Sequence, residues 1–446
     1  MKKGYYILLI LIIAAAAYSF MTFLETTPPT VEWQNSSNYL QRTAALKIAA
    51  SDRGTGLKAV KVTYRGADKS YPLFSREFPA EEQLLHEESF DIPINFKKLR
   101  IGDGDGVIVL EATDRSKWRF GKGNSTRKEY AVEIDTVPPM VEILTSRHVV
   151  SRGGTEMTIY RSSHDTIKTG VKVGDTLFPG QSGAFEEDNI YLSLFSYPHD
   201  LPTGEPLFIV AEDSAGNRTK KHLPVHVNSR TYRKRSIAIS DSFLERKVPE
   251  VLSATEREES GNLLEDFLYI NREMRNNQAE TIRAVAAEST PEILWEGRFK
   301  QLRNSKVEAR FADLRSYLYK GRVIDKQYHL GFDLSTTRRN PVTASNSGVI
   351  AFAGNLGIYG NAVIIDHGFG LSSLYSHMSS IDVEVMDNVE QGDIIGRTGA
   401  TGLAGGDHLH FGILVHGIPV TPIEWWDRQW VENRITSRFE AIMFND

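Results

Sequence analysis

Hydrophobic and polar positions change rhythm along this chain, and each rhythm predicts a different element. After Lys2 and Lys3, residues 4–24 carry no charge and are dominated by Ile, Leu, Ala and aromatic residues. A run of this length predicts a helix able to cross a hydrocarbon layer about 30 Å thick, kept as an anchor or else removed as a signal segment at Ala14 to Ala17, with the lysines inside and the chain from Glu25 onward outside. Short alternating runs separated by turn residues follow, and they come twice. TTPPTVEW starts at Thr26 and TVPPMVEI at Thr136, an internal repeat that predicts two similar β sandwiches, over 26–135 and 136–229. Over 240–290 the period lengthens. Leu263, Phe267, Ile270 and Met274 recur at helical spacing among charged residues, which predicts a helical connector with one apolar face, punctuated by Pro249 and Gly261. Such a segment either packs as a connector or covers a cleft beside it.

Composition narrows the class. With 446 residues, 41% of them hydrophobic, the chain is long enough for about three domains. Its net charge of −5 offers no basic footprint for nucleic acid. Cysteine is absent, which excludes disulfides, thiolate metal sites, a cysteine nucleophile and a lipoprotein anchor. Asp103, Asp105 and Asp213 sit among turn residues without a full set of calcium ligands, and turn chemistry accounts for them.

The chemistry is concentrated near the C-terminus. Six of the twelve histidines, His329, His367, His377, His408, His410 and His416, fall in the last third of the chain. His329 and Asp333 are four apart in HLGFD, a spacing that shares one face of a helix or of a strand. Gly331 between them, the Ser335 to Thr337 run and Pro341 decide for extended chain. His408 and His410 are two apart in HLHFGILV, so both leave the same face of a strand, where one can bind a metal while the other reaches a metal-activated water. Two imidazoles and a carboxylate with one position left open are the donor set of a catalytic zinc site, and they predict a hydrolase. His367 in IIDHGFG and His416 in VHGIP lie beside turn glycines and read as structural. The glycines of GRTGATGLAGG have no following Lys-Ser/Thr pair and precede a strand, so they read as tight turns, not as a phosphate cradle.

HLGFD, PVTASNSGVIAFAG, YGNAVIIDHGFGLSSLYSHMSS, VEQGDIIGRTGATG and HLHF occur in the order of a known family. The stretch from Trp295 to Trp426 resembles the lysostaphin-type, LytM-like zinc metallopeptidases, which cut peptide cross-links of bacterial cell walls. The resemblance implies one Zn²⁺ on His329, Asp333 and His410, with His377 and His408 as the two further histidines of the active site. His408, two residues from a ligand, is placed as general base, and His377 orients the water or stabilises the tetrahedral intermediate; the two roles are exchangeable. Asp407 and Gly412 depart from the residues common in the family around the last motif. More weakly, AEDSAGN resembles bacterial immunoglobulin-like modules.

The expected architecture is therefore mainly β and multidomain. It comprises a transmembrane helix at 4–24, immunoglobulin-like sandwiches at 26–135 and 136–229, a helical connector at 240–290 and an antiparallel β LytM-like peptidase domain at 295–430. The expected activity is a metalloendopeptidase that is anchored in the inner membrane by a single pass, faces the periplasm and acts on peptidoglycan peptides. The alternative is a catalytically silent, wall-binding regulator of other hydrolases.

Overall fold

A computed structural model describes residues 2–79, 87–255 and 257–443, without the side chains of 2–4, 19, 21–24 and 119. Two compact units emerge, Met1–Pro138 with Glu212–Arg218, and Pro139–Ala211 with Thr219–Asp446.

The first unit opens with a helix, Lys2–Leu24. Its apolar side chains from Ile7 to Ile13 are exposed. Among the described residues no helix is long and apolar enough to cross a membrane, so the predicted transmembrane helix is not part of the architecture established here. Residues 4, 19 and 21–24 of the predicted span lie outside the described side chains, and the stretch from Tyr5 to Tyr18 is only about 21 Å long at 1.5 Å per residue. Two sheets follow. Thr30–Trp33, Thr43–Ser51 and Glu87–Asn95 form one; Tyr39–Leu40, Ser125–Ile134, Gly104–Asp114, Leu57–Arg65 and Ser70–Glu77 form the other, in that order. Alternation dictates the packing. Leu46, Ile48 and Ala50 on the first sheet, and Val60, Val62, Ile108 and Leu110 on the second, point into one buried cluster, while intervening residues such as Lys47 and Lys61 face outward. The predicted 26–135 module includes residues 80–86, which lie outside the described residues.

In the second unit, strands of the predicted 136–229 module share a core with the C-terminal domain, while its residues 212–218 belong to the first unit. Gly154–Ser162 pairs with Ile190–Tyr197, and the residues they bury, including Met157, Ile159 and Leu194, join one cluster with Phe332, Phe411 and Trp425 of the C-terminal domain. Polar contacts close the same seam. Glu156, fully buried, pairs with Arg438 at 2.5 Å and accepts from the backbone N–H of Val149 and Met157. Glu424 Oε2 accepts from the Thr155 N–H at 2.8 Å. A sequence repeat cannot reveal such sharing, because each copy buries its strands by the same alternation whatever covers its outer face.

Burial pushes the Glu424 carboxyl up to about 7 from its ordinary 4.5. A carboxyl with a folded pKa above its unfolded one holds more protons folded than unfolded, so this group costs stability as pH rises from about 4.5 to about 7, with no further change above. Glu424→Gln is therefore expected to melt at a higher temperature than the parent at pH 8 and to lose that advantage at pH 4.5. A thermal melt series showing the same difference at both pH values would refute this.

The C-terminal domain is built on one antiparallel sheet. Its strand order is Lys306–Ala309, Phe332–Ser335, Leu409–Val415, Leu371–Met378, Asn361–Gly368, Gly348–Asn355 and Asn388–Val389, with Ile418–Val420 added beside Leu409–Val415. A smaller sheet orders Lys234–Ile239, Asp313–Tyr319 and Arg322–His329. The connector runs through helices Asp241–Leu252 and Leu263–Tyr269, a π turn at Ile270–Met274, and Arg275–Ala287. Ser240 caps the first helix by accepting from the Phe243 N–H, and Asn262 caps the second by accepting from Leu264 and Glu265. Pro249 sits inside the first helix, one turn from its end, instead of terminating it. Phe267, Ile270 and Met274 are buried against Tyr317 and Ile358 of the C-terminal domain. A hinged cover needs few buried contacts; this segment shares a core with what it touches and forms a wall.

Candidate metal centre

Three neighbouring strands position the site. Asp333 lies on Phe332–Ser335, directly opposite His410 on Leu409–Val415, and His410 is in turn opposite Ser376 on Leu371–Met378. His377 follows Ser376, and its backbone adopts φ 63°, a left-handed conformation uncommon for a residue with a side chain and one that clusters at functional sites. His329 ends the strand Arg322–His329 and enters from the small sheet.

The donor atoms converge. His329 Nε2 lies 2.8 Å from Asp333 Oδ1 and 2.9 Å from His410 Nδ1, which is 3.0 Å from the same Asp333 oxygen. Carbonyl partners identify the protonated ring nitrogens, since a carbonyl only accepts. His329 Nδ1–H donates to Arg310 O at 3.0 Å, leaving Nε2 as a lone pair for a metal. His377 Nδ1–H donates to Thr401 O at 2.9 Å, and His408 Nδ1–H to Gly406 O at 2.8 Å, with His408 Nε2 3.5 Å from Asp333 Oδ1. Burial alone would raise Asp333, but the imidazoles of His329, His408 and His410 around it outweigh that and hold the carboxyl well below its usual range. Burial pushes His410 down to about 4 against the pull of Asp333, so its imidazole is neutral and available as a ligand. Burial also drives His377 well below 6.5, helped by the neighbouring His408. His408 moves the other way, because Asp333 overcomes its desolvation.

Two imidazole nitrogens and a carboxylate oxygen that fall within about 3 Å of one another fit a divalent ion. A tetrahedral zinc with bonds near 2.0 Å sets its ligand atoms roughly 3.3 Å apart, so the triangle has only to open by a few tenths of an ångström. The group lines a cavity of about 430 Å³ that is lined also by Arg235 of the small sheet and by Phe243, Phe267 and Arg275 of the connector.

Every predicted site residue, His329, Asp333, His377, His408 and His410, lies in this cluster. His367 and His416 do not. His367 is fully buried between Ser347 O and Ser373 Oγ, and His416 packs over Gly370 and Phe178. Asp407 accepts from the Arg339 N–H, and Gly412 faces Leu374. Sequence reasoning missed Arg315 and Tyr359, both on the cavity wall, since neither is tied to the motifs by a local spacing. It also read Gly331 only as a helix breaker. A Cβ there would lie 2.5 Å from His410 Nε2 and 2.6 Å from Phe411 O, too close for any side chain. Gly331→Ala is expected to cost about 1–3 kcal/mol by overpacking and to tilt the His410 ring; unchanged melting and unchanged zinc content would refute it.

Residues 327–422 match Peptidase family M23. DD-carboxypeptidase/endopeptidase Mpg of Neisseria meningitidis serogroup B is 43% identical over 95 residues, 21% of this chain and 22% of its own length. Peptidoglycan DD-endopeptidase ShyA of Vibrio cholerae is 36% identical over 96 residues, 22% of each chain. The chain thus spans about a fifth of the length of these curated relatives. A crystal structure of a putative peptidase M23 from Pseudomonas aeruginosa aligns over 62% of this chain and 95% of that one, at 18% identity and a TM-score of 0.39. The His-Asp-His cluster falls inside the matched stretch, and residues 327–422 are a Peptidase M23 (LytM-type) domain.

Proposed function

We propose that the protein is a zinc-dependent endopeptidase that hydrolyses peptide cross-links of peptidoglycan. The observation that carries this reading is the convergence of His329 Nε2, His410 Nδ1 and Asp333 Oδ1 beside two further imidazoles in one cavity. His329, Asp333 and His410 would hold the ion, which supplies Lewis-acid activation of water and of the scissile carbonyl. His377 is fixed by Thr401 O with its Nε2 free and is kept neutral by burial, which suits it to accept a proton. His408, fixed by Gly406 O and inclined to its charged form by Asp333, is suited to face the developing oxyanion and return a proton to the leaving amine. This exchanges the two roles expected from the sequence. The connector wall narrows the cavity and restricts which peptides enter.

The same proposal places the enzyme at the inner membrane, attached through residues 4–24, with its bulk in the periplasm. The exposed apolar side chains from Ile7 to Ile13 support it, since water does not favour them. The sandwich at 26–135 then serves as an immunoglobulin-like spacer between membrane and wall. Purified full-length protein, with and without zinc, is incubated with peptidoglycan and the soluble peptides are identified by mass. Zinc-dependent release of cross-link fragments is expected. Zinc uptake without release would favour the regulatory, wall-binding reading.

A further inference from the structure

We infer that Arg315 is a positioning residue that makes Asp333 a one-oxygen metal ligand; the inference rests on the metal reading above. The two oxygens of Asp333 have different surroundings. Oδ1 faces His329 Nε2, His410 Nδ1 and His408 Nε2 at 2.8, 3.0 and 3.5 Å. Oδ2 accepts from the Arg315 guanidinium at 2.6 Å, a short charge-assisted bond. The donor is itself held in place. Arg315 lies in the middle strand of the small sheet, opposite Gln327 on one side and Arg235 on the other, and its side chain is only 20% exposed. The next acidic group on that strand, Asp313, is already engaged by Arg233 at 2.7 and 3.0 Å and by the Arg310 N–H. Arg315 is thus directed to Asp333, and it lines the cavity that contains the site.

The consequence is geometric. A carboxylate free to rotate about its Cβ–Cγ bond can offer both oxygens to a cation, which raises the coordination number and fills the position a substrate carbonyl requires. With Oδ2 tied to a rigid strand, only Oδ1 reaches the ion, and the fourth position stays open. Partners that orient metal ligands from behind are worth roughly 10- to 100-fold in metal affinity.

The test uses full-length protein in three forms: parent, Arg315→Met and Arg315→Lys. Metal-free melting is recorded first, then zinc affinity by chelator competition and the visible absorption of the cobalt(II)-loaded protein. Expected for Arg315→Met are a fall in zinc affinity of about 10- to 100-fold and weaker cobalt absorption, the sign of a higher coordination number. Arg315→Lys, a single ammonium nitrogen with no planar fork, should fall between and serves if the Met variant does not fold. An Arg315 variant with parental affinity and spectrum overturns the inference, as does one that binds zinc more tightly, which would mean that the guanidinium competes with the metal for Asp333. A parent that takes up no zinc sinks the metal reading itself, whereas a loaded parent beside an indistinguishable variant sinks only the role of Arg315.

Discussion

His410→Ala is expected to leave a folded protein that takes up no stoichiometric zinc and releases no peptide above the metal-free background. The imidazole contributes one of three donor atoms in a triangle whose edges are 2.8 to 3.0 Å, and two donors from His329 and Asp333 do not make a catalytic zinc site. Its loss also removes a 3.0 Å neighbour of Asp333, which leaves that buried carboxylate with His329, His408 and Arg315. The control is His367→Ala. That ring is fully buried and joined to Ser347 O and Ser373 Oγ, with Phe299 edge-on at 4.8 Å, so its removal should lower the melting temperature while zinc uptake persists. Zinc bound one-to-one by His410→Ala would refute the ligand set.

His377→Ala and His408→Ala are expected to keep the metal and to lose about 10²- to 10⁴-fold in kcat, the range of general acid–base contributions. Neither ring contributes to the donor triangle; their ring centroids lie 4.9 Å apart, and His377 is 5.8 Å from His410. The two variants should differ in pH dependence. If His377 accepts the proton, His377→Ala removes the acidic limb of the kcat profile, whereas His408→Ala removes the alkaline one. Metal loss in either variant, measured by zinc content, would move that residue into the ligand set, and full activity would exclude it from the chemistry.

Much of this site was legible because its chemistry is written in short spacings. A two-residue step puts His408 and His410 on one strand face, and a four-residue step with Gly331 inside it puts His329 and Asp333 within reach of one another. The strand assignments followed from the same alternation, as in Leu46 to Ala50, where inward and outward positions differ in polarity. Spacing failed where partners are remote in sequence or where the cue is steric. Arg315 meets Asp333 across 18 positions. Nothing local marks Gly331 as the residue that His410 leans on. The connector was legible as an amphipathic helix, but its stripe says only that something covers it.

Alone, the sequence determined the donor types, their pairing on strands, the absence of thiol chemistry and the mainly β composition of the chain, because residue identity and periodicity act locally. Tertiary structure decided the rest. It chose Nδ1 of His410 and Nε2 of His329 as facing atoms, turned one oxygen of Asp333 to the site and the other to Arg315, set the tautomers of His377 and His408 through Thr401 and Gly406, and joined the second β module to the catalytic domain. Those outcomes depend on which strands become neighbours and on what burial does to each charge, and no window of sequence contains either.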